Sequence, residues 1–126
     1  MKTQSIDHVV LTVRDITATY EFYEKTLGMQ VITFSAGRTA LQFGTQKINL
    51  HLYGKEFEPK ASHPAPGSAD LCFITDSSPK EIAEHLESSH IDILDGPVQR
   101  TGARGPITSY YFRDPDGNLI ELATYA

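Results

Sequence analysis

Four side chains have the types that chemistry needs and stand where packing alone would not put them: His8, His51, Asp70 and Glu121. Each interrupts an apolar run. Glu121 lies among Leu119, Ile120, Leu122 and Ala123. In a strand, Leu119, Glu121 and Ala123 share one face and Ile120 and Leu122 the other, so both faces read as buried. A carboxylate taken out of water needs a cation, a metal or strong donors beside it. His8 stands in IDHVVLTV, in the row Ile6, His8, Val10 and Thr12, a pattern that predicts a strand covered on both sides. His51 stands in INLHL with Asn49 and Tyr53 on its face, and Asp70 opens DLCFIT. Two imidazoles and two carboxylates meeting at one point would hold a divalent ion, and mixed nitrogen and oxygen ligation suits Zn, Ni, Mn, Fe or Co. One at a time, each residue has an ordinary explanation, a hydrogen-bonded core histidine or an ion-paired acid. As a matched set they point to a metal.

The match comes from an internal repeat. Laying IDHVVLTV over SADLCFIT, a shift of 62, puts Asp70 on His8; laying INLHL over NLIEL, a shift of 70, puts Glu121 on His51. The elements repeat too. Alternation and turn residues predict a strand over 5–13, a helix over 16–27 capped by Asp15 or Thr17 and stopped by Gly28, and strands over 29–35, 38–43 and 47–53. The helix should turn Tyr20, Phe22, Tyr23 and Leu27 toward a sheet. A second strand, helix and three strands are predicted over 69–75, 79–88, 91–98, 107–113 and 118–124. Between them GKEFEPKASHPAPGS, with three prolines and no apolar period, reads as a linker. The expected organisation is one domain over 1–126, with module 1 at about 4–54, the linker at about 55–67 and module 2 at about 68–125.

Other residues frame this centre. The segment QRTGARGP, 99–106, is either a mobile Gly-rich lid whose Arg100 and Arg104 meet an anionic substrate or a solvated loop. Ser109, Tyr110, Tyr111 and Phe43 are candidates to line a cup, although strand tyrosines also serve cores and interfaces. Cys72 reads as a small buried hydrophobe, DPDG at 114–117 as a structural turn, and His63, His85 and His90 as solvent-facing.

At 126 residues, 40% apolar and a net charge of -5, the chain can bury one ordinary core or two small ones and shows no basic stripe for nucleic acid or anionic membrane. A lone cysteine permits no intrachain disulfide, and no apolar run approaches the roughly 20 residues of a membrane span. A cytoplasmic setting is expected.

The stretches IDHVVLTVRD, EFYEKTLGM and YYFRDPDGNLIEL resemble the vicinal oxygen chelate superfamily, which includes glyoxalase I, fosfomycin-resistance thiol transferases, extradiol dioxygenases and bleomycin-binding proteins. The likeness spans nearly the whole chain and looks closest to the small virulence-associated and glyoxalase-domain-containing branches. It implies an α+β fold of two βαβββ modules whose curved mixed sheets close around a metal-binding cup. In short members a homodimer completes the cup, so the resemblance implies that His8 and His51 of one chain face Asp70 and Glu121 of its partner. It also implies a lyase or isomerase acting on a small oxygenated metabolite, with Glu121 or Asp70 as general base. A non-catalytic small-molecule binding or resistance protein and an extradiol-type dioxygenase are the alternatives. Some departures matter. Asp70 stands where glyoxalase I and the dioxygenases usually place histidine, and Thr12 replaces the arginine that holds glutathione in bacterial glyoxalase I, which argues against glutathione dependence. The five residues after Glu121 hold no base for a phosphonate, which disfavours fosfomycin chemistry.

Overall fold

The computed structural model describes residues 1–125. It divides after Gly67 into two units, Met1–Gly67 and a second that begins at Ser68.

In the first unit β1 (His8–Val13) leads to α1 (Ile16–Leu27), then β2 (Gln30–Phe34), β3 (Arg38–Phe43) and β4 (Gln46–Leu52). Of the two expected caps, Asp15 acts: its Oδ1 accepts from the Ala18 N–H at 3.0 Å. Gly28 ends the helix at φ 67, a left-handed conformation that glycine adopts without steric cost. The buried stripe of α1 is Thr19, Tyr23 and Thr26. Tyr20, Phe22 and Leu27 are only half-buried, so the helix is rotated from the orientation its aromatic residues predict. The strand order is β1-β4-β3-β2, with β1 parallel to β4 and the other pairs antiparallel. Leu11, Val13, Leu41, Ile48 and Leu50 form the core on one sheet face.

The second unit repeats this order with β5 (Asp70–Ile74), α2 (Pro79–Ser88), β6 (Asp95–Gly102), β7 (Gly105–Arg113) and β8 (Leu119–Thr124) in a sheet ordered β5-β8-β7-β6. A reciprocal box of Ser78 and Glu81 starts α2, whose Ile82 and Leu86 are buried. Phe112, Ile120 and Leu122 occupy the core face, and the buried Tyr110 belongs there, its hydroxyl donating to the Pro79 carbonyl at 2.9 Å.

Three expectations change. Residues 99–106 form no loop or lid: they are the ends of β6 and β7, paired Arg100 with Ile107 and Gly102 with Gly105, around the two-residue turn Ala103 and Arg104. The row His8, Val10 is exposed rather than covered, Val10 by 45%. Cys72 is exposed rather than buried. His63, His85 and His90 are exposed, as expected. Among the described residues no helix is long and apolar enough to cross a membrane.

Candidate functional site

Each sheet keeps one face for its core and leaves the other row of side chains for chemistry. In the first unit that row carries His8, Val10 and Thr12 on β1, Lys47, Asn49 and His51 on β4, and Arg38, Ala40 and Gln42 on β3. His8 Nδ1 lies 2.8 Å from Asp7 Oδ1. A carboxylate there holds the ring so that Nδ1 carries the proton and Nε2 keeps its lone pair, the arrangement that tunes a metal-binding imidazole.

His51 has a different environment. It is buried, its Nε2 accepts from Arg38 Nη2 at 3.4 Å, and its ring meets Phe57 edge-on at 5.6 Å between centroids. Burial, then the Arg38 charge, holds its pKa below the usual histidine range, with Glu56 pulling the other way. The result is a neutral acceptor beside a guanidinium.

The ladders decide which residues correspond. Parallel pairing aligns His8 with Lys47 and Thr12 with His51, so the two imidazoles stand four positions apart, about 13 Å along the strands. Asp70 aligns with Leu119 and Cys72 with Glu121, so the two acids stand two positions apart, about 7 Å. With the first strands matched at the expected shift of 62, the ladders put the last strands at a shift of 72 rather than 70. Backbone bonds repeat with the same offsets: Lys47 N–H to Asp7 O at 3.3 Å, Leu119 N–H to Ala69 O at 3.0 Å. Asn49, not His51, is thus the counterpart of Glu121, and His51 corresponds to Ala123.

In the second unit Glu121 is half-buried and its Oε2 accepts from the buried Ser109 hydroxyl at 2.6 Å. Ser109 thus holds the carboxylate. Tyr111, directly opposite Glu121, accepts from Arg100 Nε at 3.2 Å, and Arg100 Nη2 lies 3.7 Å from Asp95 Oδ2. Burial first, and then the Glu121 charge, raise the Tyr111 phenol, against Arg100. Cys72, beside Glu121 on the ladder, has an exposed side chain whose sulfur is partly desolvated against the sheet; that desolvation first, and Glu121 and Asp70 after it, push the thiol up to about 11. Arg104 is not brought to this group: at the hairpin tip it stacks 4.2 Å over the Tyr125 ring. Phe43 is half-buried on the core-face row of β3, away from His51.

The DPDG turn does more than mark a chain reversal. Asp114 accepts from the N–H groups of Asp116 and Asn118 and from Asn118 Nδ2, at 2.8 to 3.0 Å. Asn118 Oδ1 in turn accepts from Ala69 N–H at 2.9 Å, one residue before Asp70. The turn therefore positions an acid of the site. Among the described residues no three His, Cys, Asp or Glu side chains form one metal-holding group. Asp7, Arg38, Asn49 and Asn118 went unmarked in the sequence; only the adjacency of Asp7 to His8 offered a signal.

Against this geometry stand the comparisons with known proteins. The family model for the Glyoxalase/Bleomycin resistance protein/Dioxygenase superfamily matches residues 5–122. The chain is 58% identical over 120 residues to virulence protein STM3117 of Salmonella typhimurium, covering 95% of this chain and 83% of that one. It is 54% identical over 125 residues to the glyoxalase domain-containing protein RDO1 of Mycosarcoma maydis, covering 99% of this chain and 70% of the relative. Among solved structures, an integron cassette protein from V. cholerae superposes with a TM-score of 0.98 at 60% identity, over 100% of this chain and 98% of the other.

Proposed function

Because the chain belongs to the glyoxalase/bleomycin resistance protein/dioxygenase superfamily, we propose that it is a divalent-metal-dependent enzyme of lyase or isomerase type acting on a small oxygenated metabolite. His8, Asp70 and Glu121 are the proposed metal donors, His8 from one chain and the two acids from its partner in a cytoplasmic homodimer. His51, which shares the sequence pattern of a ligand, is left out because it stands four ladder positions from His8 with Arg38 on its Nε2.

The donor chemistry supports this set. The observation that carries it is the tie of His8 Nδ1 to Asp7, which leaves Nε2 as a lone-pair donor on an exposed strand end. Glu121 is held through Oε2 by Ser109 and has the Tyr111 hydroxyl and Cys72 thiol as further neighbours, which keep its carboxylate oriented toward an ion or a proton. A divalent ion at this place supplies Lewis acidity toward a substrate oxygen. Of the two acids, the half-buried Glu121 is the proposed general base and the exposed Asp70 the more constant donor. Arg100 and Tyr111, bonded to each other on the row of Glu121, are the proposed substrate contacts of this half. Metal analysis of protein purified without added ions tests the reading. The expected result is one equivalent of ion in the wild type and in His51→Ala, and at least a tenfold drop in occupancy in His8→Ala and Glu121→Ala. Wild-type protein free of divalent metal, or Glu121→Ala with full occupancy, would overturn it.

A further inference from the structure

In the first unit, two cations converge on one aromatic ring without an ion pair to either, the nearest opposing charge being Glu56, which acts on His51 against Arg38. Lys47 Nζ lies 4.0 Å and Arg38 Cζ 5.4 Å from the Phe34 ring centroid, and Arg38 lies 4.4 Å from that of Phe57. Neither cation has a carboxylate within ion-pairing distance among the described residues. Lys47 starts two positions from Asn49 and four from His51 on β4, whereas Phe34 pairs with Arg38 at the far end of the row. Its stem must therefore cross the strand face near Asn49 and Ala40, which pair with each other. Asn49 is 7% exposed and its Oδ1 has no hydrogen-bond partner. A buried polar atom without a partner costs about 1–3 kcal/mol, so it marks a place where another molecule would complete the bonding.

We infer that this face binds the carboxylate of a small molecule with an apolar or aromatic body. A guanidinium fork matches a planar carboxylate, and the ammonium adds a second charge. Phe34 and Phe57 flank Arg38 and offer apolar surface to the rest of the ligand. The Asn49 carboxamide, which can turn either end outward, supplies the remaining polar contact. This inference names the substrate class that the proposed enzyme leaves open, and so rests on the reading of these strand faces as a small-molecule site.

Benzoate is the probe, titrated calorimetrically into the full chain after chelation, with benzyl alcohol as its neutral analogue and inorganic phosphate as an anion without the apolar body. Saturable benzoate binding is expected, at least tenfold tighter than either control. Arg38→Gln should weaken it at least tenfold and Lys47→Gln several-fold, with melting curves showing both variants folded. Lys80→Gln, which removes an exposed cation of α2 away from both strand faces, should bind benzoate as the wild type does. Equal binding of benzyl alcohol or phosphate, or unchanged affinity in both cation variants, would overturn the assignment. Loss of binding in Glu121→Ala alone would also overturn it, by moving the anion to the metal donors, and would leave the metal reading intact. A wild type found free of divalent metal as purified, before any chelation, that still binds benzoate through Arg38 would sink the metal reading and keep this one.

Discussion

The two units share an order of elements and a sheet topology, yet they differ in charge. Up to Gly67 the chain has seven Lys and Arg against six Asp and Glu; from Ser68 on it has four against ten. Where the second unit presents Asp70 and Glu121, the first presents His8 and the amide Asn49, with Arg38 and Lys47 nearby. On the two proposals made above, one scaffold carries a face suited to a cation and a face suited to an anion. The ladder register holds this relation in place, because a strand fixes which rows share a face whatever residues fill them.

The sharpest way to break the comparison is at the joint that both units use. In the second, Asn118 anchors the start of the last strand to Ala69 and is itself held by Asp114 in a buried network. In the first, Gln46, at the corresponding place, reaches back to the Ile6 carbonyl at 2.7 Å in an exposed position. Asp114→Ala strips the acceptor from two backbone N–H groups and a carboxamide, and an orphaned buried donor costs about 1–3 kcal/mol. A loss of about 3 kcal/mol in urea denaturation is expected, against about 0.5 kcal/mol for Gln46→Ala, whose partner can turn to water. Equal losses would show that the two joints are energetically alike and that the second unit has no special claim to a rigid acid.

Much of this was legible from residue order. The helix spans 16–27 and 79–88 follow from caps and apolar spacing, and the repeat follows from alternation. What alternation leaves open is a slip of two, since a strand's period of two keeps every side chain on its face. That is why His51 read as the counterpart of Glu121, and why only backbone pairing assigned that place to Asn49. The same limit hid the 99–106 hairpin: QRTGARGP has loop composition, and it takes the cross-strand partners Thr108 and Ile107 to draw Gln99 and Arg100 into a sheet. Burial misled in another way. His8, Val10 and Cys72 sit in apolar runs because one row of each strand is core, while their own row is open.

A smaller effect sharpens the charge contrast from the acidic side. Cys72 stands beside Glu121, and its thiol is pushed up to about 11, by partial desolvation first and then by the Glu121 and Asp70 charges. Thiolate is the reactive form, so iodoacetamide should alkylate Cys72 slowly at pH 8. Glu121→Gln removes one of these charges and should speed alkylation several-fold, whereas Asn49→Asp, on the other face, should leave it unchanged. An unaltered rate in Glu121→Gln would mean that partial desolvation alone sets the thiol.

The smallest effect lies on the basic side, at His51. Burial, followed by the Arg38 charge, lowers its pKa in the folded protein, with Glu56 opposing. The unfolded chain, titrating near the ordinary histidine value of about 6.5, binds the proton more readily. Between the folded pKa and about 6.5 the unfolded state therefore carries more protons, and stability rises with pH across that window. Acidification from pH 7 through this range should lower the melting temperature, because protonating His51 places a second charge beside Arg38 and removes the lone pair that accepts its hydrogen bond. His51→Gln keeps an acceptor without the titration, so its melting temperature should depend less steeply on pH over the same interval, and Arg38→Gln should flatten it in part. Identical slopes in wild type and His51→Gln would show that Arg38 exerts no net field on the imidazole, and the cationic character assigned to this face would lose its reporter.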